Sequence, residues 1–125
     1  YGTLKRPDIQ LALYNKVLPM MPARLLLYSL DKARYSNEET DVSPYLTVKY
    51  TPRDINSRVE GYVIEVDDVE LLVTDTYEGV PSLYKRIKVQ VYDTATCNII
   101  EVYTYMNTFF HNQLNKKNEH VEVVS

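Results

Sequence analysis

Apolar and polar positions alternate most cleanly in the second half of the chain. LYKRIKVQVY, 83–92, sets Ile87, Val89 and Val91 against Arg86, Lys88 and Gln90. After the polar connection DTATCN, NIIEVYTYM, 98–106, returns with the same period, so the two runs predict a hairpin. VEGYVIEV, 59–66, also alternates, with Tyr62, Ile64 and Val66 on one face, and predicts another strand. The period then changes. In DDVELLVTDTYEG the residues Val69, Leu72, Val73 and Thr76 form a helical stripe, Asp67 and Glu70 have the spacing of a capping box, and Gly79 is a stop signal.

The first half is patterned less regularly. Ile9, Leu13 and Val17 recur at helical spacing behind Pro7 and Asp8, which predicts a short helix over 9–18. RLLLYSL, 24–30, and YLTVKY, 45–50, are bounded by Pro22, Pro44 and Pro52 and predict strands. Between them DKARYSNEETDVS has little to bury and predicts an exposed loop. The tail from Asn107 to Asn118 reads as polar, His111 as a surface residue, and VEVV, 121–124, as a last edge strand. This order of elements predicts an α+β domain: a small mixed β-barrel or curved sheet with two or so short helices at one face or end.

Composition narrows the class. With 125 residues the chain is expected to be one domain, 1–125, with one core. A formal charge of -3 argues against nucleic acid or an anionic membrane surface as partner. No apolar run approaches the roughly 20 residues of a membrane helix. Cys97 stands alone, which excludes an internal disulfide and makes a reducing, cytoplasmic location the expectation. Twelve tyrosines against two phenylalanines suit half-buried strands whose hydroxyls reach polar partners.

Three groups of residues are candidates for chemistry. The opening YGTL lacks the Gly-Lys-Ser/Thr of a phosphate loop and the spaced glycines of a dinucleotide site, which leaves an anion-binding or merely structural glycine turn. Asp75 and Glu78 lie three apart near a helix end. Two such carboxylates raise the cost of ionising both and push one toward use as a base, while the plainer reading is a solvated acidic helix end. Tyr84 with Arg86, and Tyr103 with Tyr105, share strand faces and either line a pocket or pack across strands. His111 and His120 have no partner at ligand spacing, so no metal site is expected.

Taken together, YGTLKR, VEGYVIEV, TDTYEG, VPSLYKR and EVYTY, in this order, resemble the gamma-glutamylcyclotransferase-like family, most of all its gamma-glutamylamine cyclotransferase branch. The resemblance covers most of residues 1–106. It implies a small mixed barrel, a substrate-binding loop at Tyr1, Gly2, Thr3 and Leu4, a catalytic glutamate at Glu78 with Asp75 beside it, tuning it or capping the helix, and a pocket position near Tyr103; Tyr84 and Asp75 are further candidates for that pocket. Thr74 stands where the family usually has leucine. The family pattern also has an apolar strand ahead of Tyr1 and a Gly-Asp-Trp segment after the last strand, so the chain is expected to be a domain without these two segments. The implied reaction is intramolecular aminolysis of a small γ-glutamyl substrate, an amine or an amino acid derivative, to 5-oxoproline, with no metal, cofactor or covalent intermediate. The alternatives from other classes are a non-catalytic domain that binds a small metabolite, and a protein-interaction domain.

Overall fold

The computed structural model describes residues 1–34 and 42–114. A 3-10 turn, Gly2–Lys5, leads into helix α1, Pro7–Tyr14, with Pro7 in the first helical turn, where its missing N–H costs nothing. Asn15 closes α1 in the left-handed region at φ 59. Strands β1, Met20–Leu26, and β2, Tyr28–Arg34, follow, then β3, Val42–Tyr50, β4, Arg58–Ile64, helix α2, Asp68–Tyr77, and the hairpin β5, Tyr84–Asp93, with β6, Ile99–Asn107.

Two sheets result. β4, β1, β5 and β6 lie in that order in a curled half-barrel, and β2 pairs with β3. Every described ladder is antiparallel, which refines the mixed sheet expected from the sequence. The hairpin forms as its pattern demands, with Arg86 opposite Tyr105 and Lys88 opposite Tyr103. Val89 and Val91 are buried, and Ile87 packs against the same core.

The structure corrects several sequence expectations. RLLLYSL is two strands rather than one, because Leu27 adopts φ 66 and turns the chain from one sheet to the other. The break is held by the Leu27 N–H, which donates to the Ser57 carbonyl at 3.0 Å, and by the Thr51 N–H, which donates to the Leu27 carbonyl at 2.7 Å. Asp31 to Arg34, expected in a loop, belong to β2. The rest of that stretch, 35–41, and VEVV lie outside the described residues. On β4 the core takes Val59 and Val63, and Tyr62 faces out.

The tail after Asn107 is not uniformly polar. Residues 108–114 are helical, and Phe109 and Phe110 enter the core edge to face, their ring centroids 5.0 Å apart. His111 is therefore partly buried, with a buried Nδ1 that has no hydrogen-bond partner. The anchor for this turn inward is Asn107, which is fully buried. Its side chain accepts from the Arg34 N–H at 2.9 Å and donates to the carbonyls of Arg34 and Leu83, at 3.0 and 2.9 Å. The main core gathers Ala23, Leu25, Val48, Val59, Val89, Val91 and Met106 around the two phenylalanines. A smaller cluster, Ala33, Tyr84 and Tyr105, with Leu4, Val80 and Leu83 packed on it, lies beside Glu78's end of α2.

Candidate active site

Glu78 owes its place to local sequence. At the start of α2 the Asp67 carboxylate accepts from the Glu70 N–H, and the Glu70 carboxylate accepts from the Asp67 N–H, which completes the capping box. At the other end Gly79 takes φ 68. Its N–H donates to the Thr76 carbonyl at 3.1 Å and the Val80 N–H to the Asp75 carbonyl at 3.0 Å, the two bonds of a Schellman closure. A Cβ at Gly79 would stand 3.3 Å from the Leu83 Cβ, so this position suits glycine twice over. Glu78 is the C-cap residue held between these bonds.

The face that α2 turns inward differs from the stripe read in the sequence. Leu71, Thr74, Tyr77 and Glu78 line a cavity of about 910 Å³, whereas Val69 and Leu72 are 70% and 66% exposed. Inter-element hydrogen bonds decide the rotation. The Tyr14 and Thr74 hydroxyls lie 2.6 Å apart and join α1 to α2, and the Tyr77 hydroxyl lies 2.7 Å from Thr3 Oγ1. Thr74, where the resemblance expects leucine, thus takes part in the contact between the two helices.

Of the residues singled out from sequence, Tyr1, Gly2, Thr3, Leu4, Glu78, Tyr84, Tyr103 and Tyr105 line this one cavity. Asp75 does not line it. The Asp75 carboxylate instead accepts from the Tyr105 hydroxyl at 2.7 Å and from Arg86 Nη1 at 2.8 Å. Tyr103 is half exposed, and the Arg86 guanidinium lies 4.7 Å from its ring centroid. Tyr84 is buried and donates to the Leu46 carbonyl at 2.8 Å.

Burial pushes the Glu78 carboxyl up from its ordinary 4.5 to about 7. Asp75 is not among the causes, so the like-charge account drawn from the sequence gives way to desolvation. The same burial, followed by the charge of Glu78, pushes the Tyr84 phenol up to about 12. The Tyr1 and Tyr105 phenols are pushed up further still, burial first in each case. All three therefore stay protonated and act as donors near neutral pH. The Tyr1 hydroxyl donates to the carbonyl of Tyr105 and ties the start of the 3-10 turn to β6.

Sequence reasoning missed Gln10 and Tyr14. Gln10 is fully buried, donating to the Leu4 carbonyl at 2.8 Å and accepting from the Leu18 N–H at 2.9 Å, so it holds the end of the YGTL turn from below. The inward positions are Gln10, Tyr14 and Leu18, four apart, while Val17 is half exposed. A polar residue in the stripe hid the true face.

The family model for gamma-glutamyl cyclotransferase, AIG2-like, matches residues 1–122. The chain belongs to this family. Solved structures agree in fold. A solution structure from Arabidopsis thaliana superposes with a TM-score of 0.68 at 23% identity, covering 99% of this chain and 76% of that one. A protein described as gamma-glutamyl cyclotransferase gives 0.70 at 22%, over 86% of this chain and 63% of its own length. An AIG2-like protein from Mus musculus gives 0.62 at 22%, over 88% and 75%. None of the curated proteins compared with the chain matches it in sequence. Family membership makes a cyclotransferase activity on a small molecule plausible, and among the described residues no helix is long and apolar enough to cross a membrane.

Proposed function

We propose that this chain is a cyclotransferase acting on a γ-glutamyl amine or γ-glutamyl amino acid, nearest in kind to gamma-glutamylamine cyclotransferases. The α-amine of the glutamyl group attacks its own γ-carbonyl, the five-membered lactam of 5-oxoproline closes, and the γ-amide C–N bond breaks to release the amine. One proton has to travel from the attacking nitrogen to the leaving one, since an alkyl amine leaves poorly unless protonated. Glu78 is the shuttle in this reading.

The observation that carries it is a carboxyl held at a rigid helix end, facing a cavity, with its pKa pushed up to about 7. A free α-amine titrates near about 8, so donor and acceptor are closely matched and proton transfer runs in either direction at little cost. Such a group typically contributes about 10²–10⁴-fold. The YGTL turn supports the reading from the other side of the cavity, because the first N–H groups of a 3-10 turn have no partner within it and can receive the substrate's α-carboxylate or the developing oxyanion. Holding that anion folds the flexible glutamyl chain into attack geometry.

The test is a panel of γ-glutamyl amines, γ-glutamyl-ε-lysine among them, and γ-glutamyl dipeptides, assayed for 5-oxoproline. Release from a member by the wild-type protein, lost in Glu78→Gln, is the expected result. Near-normal release by Glu78→Gln overturns the role given to Glu78. Thermal stabilisation by these compounds without release overturns the enzyme and leaves a metabolite-binding domain.

A further inference from the structure

Besides the residues that face the cavity, α2 carries one carboxylate that faces the sheet. Asp75 sits one turn before Glu78, and its carboxylate is 18% exposed. Its two donors, Tyr105 and Arg86, stand directly opposite each other on β6 and β5, so their side chains rise from one face of the hairpin and converge on one acceptor. Two bonds to neighbouring strands fix the helix end in both position and rotation. Other side-chain ties of α2 go elsewhere, from Thr74 to Tyr14, from Tyr77 to Thr3, and from Glu70 to Lys16 and the Asp67 N–H.

Tyr105 also does a second thing. Its carbonyl accepts the Tyr1 hydroxyl, which begins the YGTL turn. One residue therefore anchors both halves of the candidate site, α2 through its hydroxyl and the 3-10 turn through its backbone.

We propose that Asp75 and Tyr105 form a positioning pair that sets the place of Glu78 relative to the YGTL turn. The inference rests on the proposed proton shuttle for its kinetic consequence, but the clasp itself is a property of the fold. Tyr105 also lines the cavity, but its hydroxyl spends its proton on Asp75, and the Asp75 carboxylate is engaged by its two donors, so both act through Glu78 rather than on the substrate. Tyr105→Phe removes only the hydroxyl and keeps the packed ring and the carbonyl. Asp75→Asn breaks the ion pair and keeps the size of the side chain.

The experiment measures kcat, KM and pH profile for Tyr105→Phe, Asp75→Asn and the double variant, at a temperature where all are folded. A misplacement on the order of 1 Å costs up to about 10²-fold, so each single variant is expected to lose roughly 10–100-fold in kcat. KM should stay within about twofold and the acid limb of the profile should stay in place, and the double variant should be no worse than the worse single one, as for two residues acting as a unit. Wild-type kcat in Tyr105→Phe, multiplied losses in the double variant, or a loss confined to KM overturns the pairing. Amide hydrogen exchange of the Val80 N–H, which closes the helix end, reads the clasp without turnover. It is expected to quicken about tenfold or more in both single variants. If the wild-type protein releases no 5-oxoproline, the cyclotransferase reading fails alone, and unchanged exchange at Val80 in Tyr105→Phe then overturns the clasp.

Discussion

Glu78→Gln should make the protein more stable, and only above a certain pH. In the folded chain the Glu78 carboxyl titrates at about 7, against 4.5 when solvated. Below 4.5 both states hold the proton and the group contributes nothing to the pH dependence. As the pH rises from 4.5 toward 7 the unfolded chain releases its proton while the folded chain keeps it, so stability falls; above about 7 both are ionised and the loss is complete. At about 1.4 kcal/mol per tenfold change in proton affinity, the loss is about 3 kcal/mol at most. Glutamine is neutral throughout and escapes it, although its buried amide costs roughly 1 kcal/mol of this gain unless it finds partners. A net gain of about 2 kcal/mol corresponds to a Tm rise of roughly 5–10 °C at pH 8.5 for a domain of this size. Calorimetry of wild type and Glu78→Gln at pH 4 and pH 8.5 reads this directly. Equal Tm differences at the two pH values, or a lower Tm for Glu78→Gln at pH 8.5, would refute a buried carboxyl at this site. Joined with loss of turnover, the expected result is a site that trades stability for a usable base.

Other outcomes follow from the same geometry. The kcat/KM of wild type should fall about tenfold per pH unit below about 7, because the base must be ionised, and a limb near 4.5 would contradict the burial of Glu78. Gly79→Ala forces a Cβ into the left-handed region beside Leu83, at a cost of about 1–2 kcal/mol, and should lower kcat more than it raises KM, since the turn carries Glu78. Gln10→Met leaves the Leu18 N–H and the Leu4 carbonyl without their partner; about 1–3 kcal/mol of stability should go, with a higher KM as the YGTL turn loosens. Asn107→Ala removes three side-chain hydrogen bonds that join the end of β6 to Arg34 of β2 and to Leu83 just before β5, and its urea midpoint should drop by an amount worth about 3 kcal/mol at unchanged m.

How much of this was legible beforehand depended on how far each interaction reaches along the chain. The capping box at Asp67 and Glu70, the Gly79 stop and the β5–β6 hairpin are made by residues close in sequence, and the pattern alone located them. The YGTL turn and Glu78 were likewise conspicuous as motifs. Which face of a helix turns inward was not. Periodicity finds an apolar stripe, but in α1 and α2 polar residues face inward, because Gln10, Tyr14 and Thr74 bond across to other elements. RLLLYSL read as one strand because nothing local announces φ 66 at Leu27; the bonds that hold it come from Thr51 and Ser57, more than twenty residues on.

By itself, then, the sequence determined the α+β class, the order of most elements, the caps that end α2 at Glu78 and the family pattern. The tertiary structure alone decided that Phe109 and Phe110 complete the core, that Asp75 faces the sheet rather than the cavity, and that burial rather than a neighbouring carboxylate perturbs Glu78. Hydrogen bonds within four or five residues are written in local spacing, whereas desolvation and inter-element pairing are sums over groups scattered along the chain and take a value only once those groups are packed together.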